Sequence, residues 1–253
     1  MVSILLVQQT MLGRRVPPGS GAFDLFHSLE NPGGPQAVVP IQSLSMFLDP
    51  ETSSGFKRSL FNAIVAPRPI GWISSLSKAG EVNLAPFSHF NLVSTNPPVL
   101  IFSCNAPGDR QEKDTVANVR ATGEFVANLV TWDLRDAMNK TSTNAPHGVD
   151  EFDLAGLEKL PSVKVRPPRV AASPAQLECT VLQIVDIEPR QESESRSSVV
   201  FGRIIGVHLQ DEFVTERGHF DVARTRPLTR LGGLQYASIG EIIELPRPSA
   251  SSD

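Results

Sequence analysis

The sequence is poor in the features that would make several functions easy to assign. Its 253 residues include only 2 cysteines, Cys104 and Cys179, too few for the disulfide framework of a small secreted scaffold. Positive charge is not in excess: 23 basic against 27 acidic residues leave a formal charge of -4, so no global field attracts nucleic acid or an anionic membrane surface. No apolar run reaches a membrane-spanning length. The chain has no GxxxxGK[ST], no GxGxxG after a first strand, no HExxH and no paired CxxC. Its histidines, at 27, 89, 147, 208 and 219, are too irregularly spaced to read as a metal site, and none is expected.

The first residues, Met1 to Val7, include a short apolar run, but Arg14 and Arg15 follow it, the reverse of a secretory signal. No acidic residue precedes Asp24, as in an organellar presequence; an untargeted cytoplasmic protein is the reading preferred.

What is present is a foldable chain with many interruptions. Hydrophobic residues make up 40%, while 21 prolines and 18 glycines argue against a long helical array. Residues 1–55, with NPGGPQ at 31–36, read as an irregular extension. Residues 56–240 form the main domain, with an insertion near 131–175, and 241–253 a tail. The stretches 65–77, 82–94 and 97–104 read as extended, with a hairpin at Lys78-Ala79-Gly80. DTVANVRATG at 114–123 reads as a helix entered by an acidic cap and stopped by glycine, and WDLRDAMNKTS begins a second helical stretch. EFVANLVT returns to strand character, and APHGVDEFDLAGL reads as a long loop facing an active site or a dimer partner. The runs 176–189 and 199–214 are strands, the latter with bulges at Gly202 or Gly206. At least six strands with few short helices favour a closed or nearly closed antiparallel barrel over a doubly wound sheet.

The chemistry concentrates between Arg68 and Thr115. ISS at 73–75 supplies hydroxyls on a strand, NLAPFS at 83–88 mixes small and aromatic residues, and DRQEKDT at 109–115 puts cations before a helix. Hydroxyls, backbone amides and a lysine suit a phosphate, and an apolar wall beside them suits a planar ring. One phosphate-bearing planar cofactor would use both.

In this order, RPIGWISSLSKAGEVNLAPFSHFNLVSTNPPVLIFSC at 68–104, DRQEKDTVANVRATGEFVANLV at 109–130, LECTVLQI, VVFGRIIGVHL and RPLTRLGGLQYA resemble the FMN-binding split-barrel family of flavin reductase-like proteins, its flavoredoxin-like branch in particular. The resemblance implies a mainly β, six-stranded split barrel with short peripheral helices, homodimeric, with FMN near the subunit interface. It implies that Trp72, Ser74 and Ser75 lie near the flavin and its phosphate. Asn83, Leu84, Ala85, Ser88 and Asn91 form the next cofactor wall, and Arg110, Lys113 and Thr115 the phosphate side. Trp72 serves equally well as a cofactor wall or a barrel side chain. His89, His208, Arg226, Arg230 and Tyr236 are candidates for substrate or dimer-pocket contacts.

The function implied is transfer of hydride from NADH or NADPH to FMN, with reduced flavin supplied to a partner oxygenase. Because the isoalloxazine carries the electrons, no catalytic triad is required. Two alternatives stay open: an enzyme that retains FMN and passes electrons to a protein or small organic acceptor, and a non-enzymatic FMN-binding or sensing protein.

Overall fold

The structure, a computed structural model, describes residues 46–53, 56–191 and 194–248. The chain divides into two compact units, Met1–Leu48 and Asp49–Asp253. The fold below is that of the second; the extension expected over residues 1–55 lies largely outside the described residues.

Helix α1 (Ser59–Ile64) leads into a two-residue strand, β1 (Arg68–Pro69). Strands β2 (Gly71–Leu76) and β3 (Val82–Phe87) form the expected hairpin, with Gly80 at φ 90° in its turn. Strands β4 (His89–Thr95) and β5 (Pro98–Asn105) form a second hairpin. Helix α2 (Asp114–Thr122) stops at Gly123, whose left-handed conformation suits a residue without Cβ. Its N-cap, however, is Lys113 and not an acidic residue, and no side chain caps it. Then follow β6 (Glu124–Leu129), α3 (Arg135–Lys140), α4 (Glu151–Ala155) and the short pair β7 (Lys159–Leu160) and β8 (Arg169–Val170). The long strands β9 (Ala175–Ile187) and β10 (Ser197–Leu209) precede α5 (Val222–Thr225), β11 (Thr229–Arg230) and β12 (Tyr236–Ala237).

The main sheet is antiparallel, in the order β3-β2-β6-β9-β10-β5-β4. Its two edge strands are consecutive in the chain, separated only by Ser88. In a flat seven-stranded sheet, strands about 4.8 Å apart would set those edges about 29 Å from each other. The two residue steps from Phe87 to His89 span at most about 7 Å, so the sheet curls until its edges approach. The sheet has seven segments where six strands are expected, because the second extended run breaks at Ser88 and each half pairs with a different neighbour. Gly71 sits where the edges meet: a Cβ there would lie 2.3 Å from the Phe90 ring. Register shifts between β9 and β10 fall beside Gly202 and Gly206, where bulges are expected.

Alternation along β2 and β3 divides the interior into two cores. Ile73 and Phe87 point into the barrel with Phe102, Phe125 and Val200, where α2 adds Val116 and Val119. Phe102 meets Phe125 edge-on at 5.3 Å between ring centres. Trp72 and Leu84 point the other way, into a core built with Met138, Phe152 and Val170 from the 131–175 insertion. The insertion therefore roofs the outer face of β2 and β3, and β2 is buried on both sides.

A strap from the insertion is pinned to the barrel by a buried carboxylate. Glu178 on β9 accepts the successive N–H groups of Val163, Lys164 and Val165 at 2.8, 2.6 and 3.0 Å. Its other bond is to His208 Nε2 at 2.5 Å. Burial pushes this carboxyl up, but the three amides and the imidazole outweigh that and hold it below the ordinary range.

Candidate functional site

A groove of about 290 Å³ opens between β3, the start of α2 and the segment that follows α3. Strand β3 is a sheet edge, so one row of its backbone groups faces away from the ladder. Pro86, which has no N–H to donate, is tolerated on that edge and lines the groove with Asn83 and Ala85. The opposite walls are Lys113 and Thr115 at the start of α2, the strip Thr141 to Ala145, and Glu151 at the start of α4.

Behind the groove runs a buried polar network joining three elements. Asn83 Nδ2 donates to Thr115 Oγ1 at 2.8 Å, and Asn118 Nδ2 donates to Ser75 Oγ at 3.2 Å. Thr115 accepts from Asn83 and keeps its own hydroxyl proton to donate. The first amides of α2 carry the positive end of the helix dipole and have no side-chain cap. Lys113 lies 5.6 Å from the Phe87 ring centre and pairs with no carboxylate among the described residues. Arg110 is more occupied: it bonds both Asp114 oxygens, at 3.0 and 3.2 Å, and Asn144 at 2.8 Å. Its Nε is nonetheless buried without a hydrogen-bond partner.

Five of the sequence-selected residues, Asn83, Ala85, Arg110, Lys113 and Thr115, thus line one groove. Ser75 stands one bond behind it, and Leu84 gives its amide to Glu151 at 2.8 Å. Ser74 faces away from Ser75, as successive strand residues must, and donates to the Pro168 carbonyl at 2.5 Å. Trp72 is fully buried under the insertion, its indole N–H bonded to Thr141 Oγ1 at 2.8 Å. Ser88 is half-buried at the β3–β4 junction, and Asn91 is exposed on β4, where its side chain accepts the Leu92 amide.

The remaining candidates lie outside the groove lining. His89 is exposed and 3.1 Å from Asn62 Oδ1, and burial followed by the Arg68 charge lowers its pKa. His208 belongs to the Glu178 anchor. Arg230 bonds the Tyr236 hydroxyl and stacks on its ring at 4.3 Å, and Arg226 lies 5.9 Å from the Trp132 ring centre.

Two groove features escaped sequence reasoning. The hydroxyl-rich strip Thr141 to Ala145 follows a short helix, and only tertiary packing brings it opposite β3. Glu151 lies in the DEF of the long loop, where nothing local marks it as buried. Burial pushes its carboxyl up, against the Leu84 N–H bond, with Asp114 and Asp150 adding to the rise. Neither thiol supplies a nucleophile. Burial pushes Cys104 up to about 11, only partly offset by Lys113, and it pushes Cys179 higher still. Among the described residues, no group of three or more His, Cys, Asp or Glu could hold a metal ion, and no helix is long and apolar enough to cross a membrane.

Residues 65–224 match the model of the flavin reductase like domain. An uncharacterised protein of Aquifex aeolicus is 36% identical over 190 residues, 75% of this chain and 93% of that one. Component B of nitrilotriacetate monooxygenase from Bacillus cereus superposes with a TM-score of 0.74 at 28% identity, covering 79% of this chain and 98% of that one. A 2-nitrobenzoate 2-nitroreductase of Pseudomonas fluorescens gives 0.67 at 26% identity, covering 79% and 97%. A Shewanella frigidimarina protein with a split barrel domain gives 0.67 at 19% identity, covering 77% and 95%, a likeness of fold alone.

Proposed function

The chain belongs to the flavin reductase-like family of split-barrel proteins, and from that membership we propose that its groove binds FMN and serves transfer of hydride from NADH or NADPH. The observation that carries this reading is the start of α2: uncapped amides, Lys113 without a carboxylate partner, and the Thr115 hydroxyl beside one open groove. That donor set suits a phosphate. Arg110 Nε makes no hydrogen bond, and the Asp109 carboxylate stands 3.6 Å from it.

FMN, when bound, supplies the capacity to accept hydride from a nicotinamide and pass electrons on. The chain's residues bind, orient and shield. Lys113, Thr115 and the α2 amides hold the phosphate, with Arg110 at its flank. Asn83 fixes the Thr115 rotamer, and Ser75 with Asn118 completes the network that keeps this wall rigid. Ala85 and Pro86 leave a low wall along the β3 edge for a planar ring. Anaerobic stopped-flow mixing of FMN-loaded protein with NADH and with NADPH tests the reading. Bleaching of the oxidised-flavin absorbance is expected with at least one donor; FMN bound but bleached by neither rejects the nicotinamide assignment.

The neighbour that is an oxygenase component B supports a role in supplying reduced flavin to an oxygenase. A second reading, in which FMN is retained and an organic acceptor takes the electrons, is favoured by the Thr141 to Ala145 strip walling the groove. Loss of FMN on dilution of folded protein would favour the first; retention favours the second. A homodimer is supported by the contrast between the two outer faces of the barrel. The insertion roofs β2 and β3, whereas the outer face of β9, β10 and β5 shows Phe201 opposite Ile101 and Val185 opposite Val199, with Val185 and Ile187 exposed.

A further inference from the structure

Glu151 is a carboxylate in unusual company. It is 7% exposed, lines the groove and accepts one strong bond, from the Leu84 amide at 2.8 Å. No cation is paired with it among the described residues. The charges around it are mostly of its own sign or already matched. Asp150, the N-cap of α4, and Asp153 within it both bind Lys159 Nζ, at 2.6 and 2.8 Å. At the start of α2, Asp114 is matched by Arg110 and approached by His147 at 3.4 Å. From α3, Arg135 pairs with Asp136, and Lys140 is exposed. Strand β3, which packs on α4, carries no charged residue. Lys113 is the one groove cation without a carboxylate partner among the described residues, and it stands at the α2 wall.

An anionic ligand entering this groove would therefore meet a carboxylate that no cation offsets. Like charges in a partly desolvated site raise each other's proton affinity, so the cheapest response is a proton on Glu151. A protonated carboxyl keeps one oxygen to accept the Leu84 N–H and gains an O–H to donate. We infer that Glu151 is a ligand-binding carboxylic acid of this groove, taking up one proton from solvent when a phosphorylated ligand binds and donating its O–H to that ligand. The inference rests on the FMN reading, and it assigns a binding role to a residue that neither motif nor family match marks.

The test is FMN affinity as a function of pH, followed by quenching of flavin fluorescence, in the wild type and in Glu151→Gln. The amide oxygen of glutamine still accepts the Leu84 N–H, but glutamine cannot titrate. The second ionisation of the ligand phosphate, near pH ~6, acts equally on both proteins and cancels in the comparison. Wild-type affinity is expected to weaken by up to about tenfold per pH unit above the Glu151 titration, with Glu151→Gln lacking that slope. Calorimetry at pH 7.5 in two buffers of different ionisation enthalpy should show about one more proton taken up by the wild type. Riboflavin, which brings no phosphate, should show little slope with either protein. FMN binding with equal pH dependence in both proteins overturns the role of Glu151 and leaves the cofactor reading standing. An equal slope for riboflavin and FMN in the wild type overturns the coupling to phosphate. No binding of FMN at any pH overturns the cofactor reading and this inference with it.

Discussion

Lys113 and Glu178 show how differently two charged side chains are used in one small barrel. Lys113 has no carboxylate partner among the described residues and lies over the Phe87 ring, beside uncapped amides. Lys113→Met should weaken FMN binding by about tenfold to a hundredfold, the range for loss of a charge-assisted bond, while riboflavin affinity changes little. Fluorescence titration with the two flavins measures this directly. Glu178 is instead fully committed within the fold, to three amides and His208. Since its folded-state pKa is depressed, its stabilising contribution is present above the ordinary value of 4.5 and disappears as pH falls through the depressed one. Acid unfolding of the wild type should therefore steepen below pH 4.5, and Glu178→Gln should flatten that limb. At pH 7 the variant should lose about 3 kcal/mol, because buried amides are left with a poorer acceptor. Glu151 has the opposite sign. Its pKa is raised, so stability is lost as pH rises from 4.5 through the raised folded value and stays lower above it. Glu151→Gln should gain stability over wild type at pH 8 and show no advantage at pH 4, read by thermal melts at both.

At the scale of elements, closure of the sheet depends on close backbone approach. A side chain at Gly71 would collide with the Phe90 ring, which the short β3–β4 link fixes in place. Gly71→Val should destabilise the protein by about 1–3 kcal/mol or prevent folding, whereas Gly80→Ala, in a turn with open space around it, is limited to the strain of its positive φ. Chemical denaturation of the two variants distinguishes packing from turn geometry. These elements also show what local sequence carries. The glycine stop of α2, the turn at Lys78-Ala79-Gly80 and the bulges at Gly202 and Gly206 depend on one or two neighbouring residues, and each appears where the sequence puts it. The break at Ser88 does not depend on neighbours. It arises because the run from Val82 to Thr95 leaves one sheet edge and joins the other. Ser74 and Ser75 illustrate the same division: strand alternation sends them to opposite faces, but the insertion roof that buries Ser74 comes from residues far along the chain.

For the whole molecule, the roofed face and the open face set the expectation for assembly. Phe201→Glu places a charge on the uncovered β9-β10-β5 surface, and sedimentation should show a dimer converted to monomer with weaker FMN binding. A monomeric wild type that binds FMN normally would remove the reading in which FMN sits near a subunit interface. The formal charge of -4 says nothing against the proposed phosphate site, which relies on a few donors at one helix start and not on a global field.

The β-rich class, the positions of most turns and strands, and the family of the barrel are legible in the residues alone. The family resemblance singled out Asn83, Ala85, Arg110, Lys113 and Thr115, which line the groove, along with Trp72, Ser74, Ser75, Leu84, Ser88 and Asn91, which do not. Tertiary packing settled which of the selected residues share a groove. It also brought Thr141 to Ala145 and Glu151 to its walls and buried Trp72 and Ser74 beneath the insertion. The physical reason is that propensity, turn chemistry and alternation act between near neighbours. Burial and the balance of charge around Glu151 depend on segments that meet only when the sheet has curled and its insertion has packed.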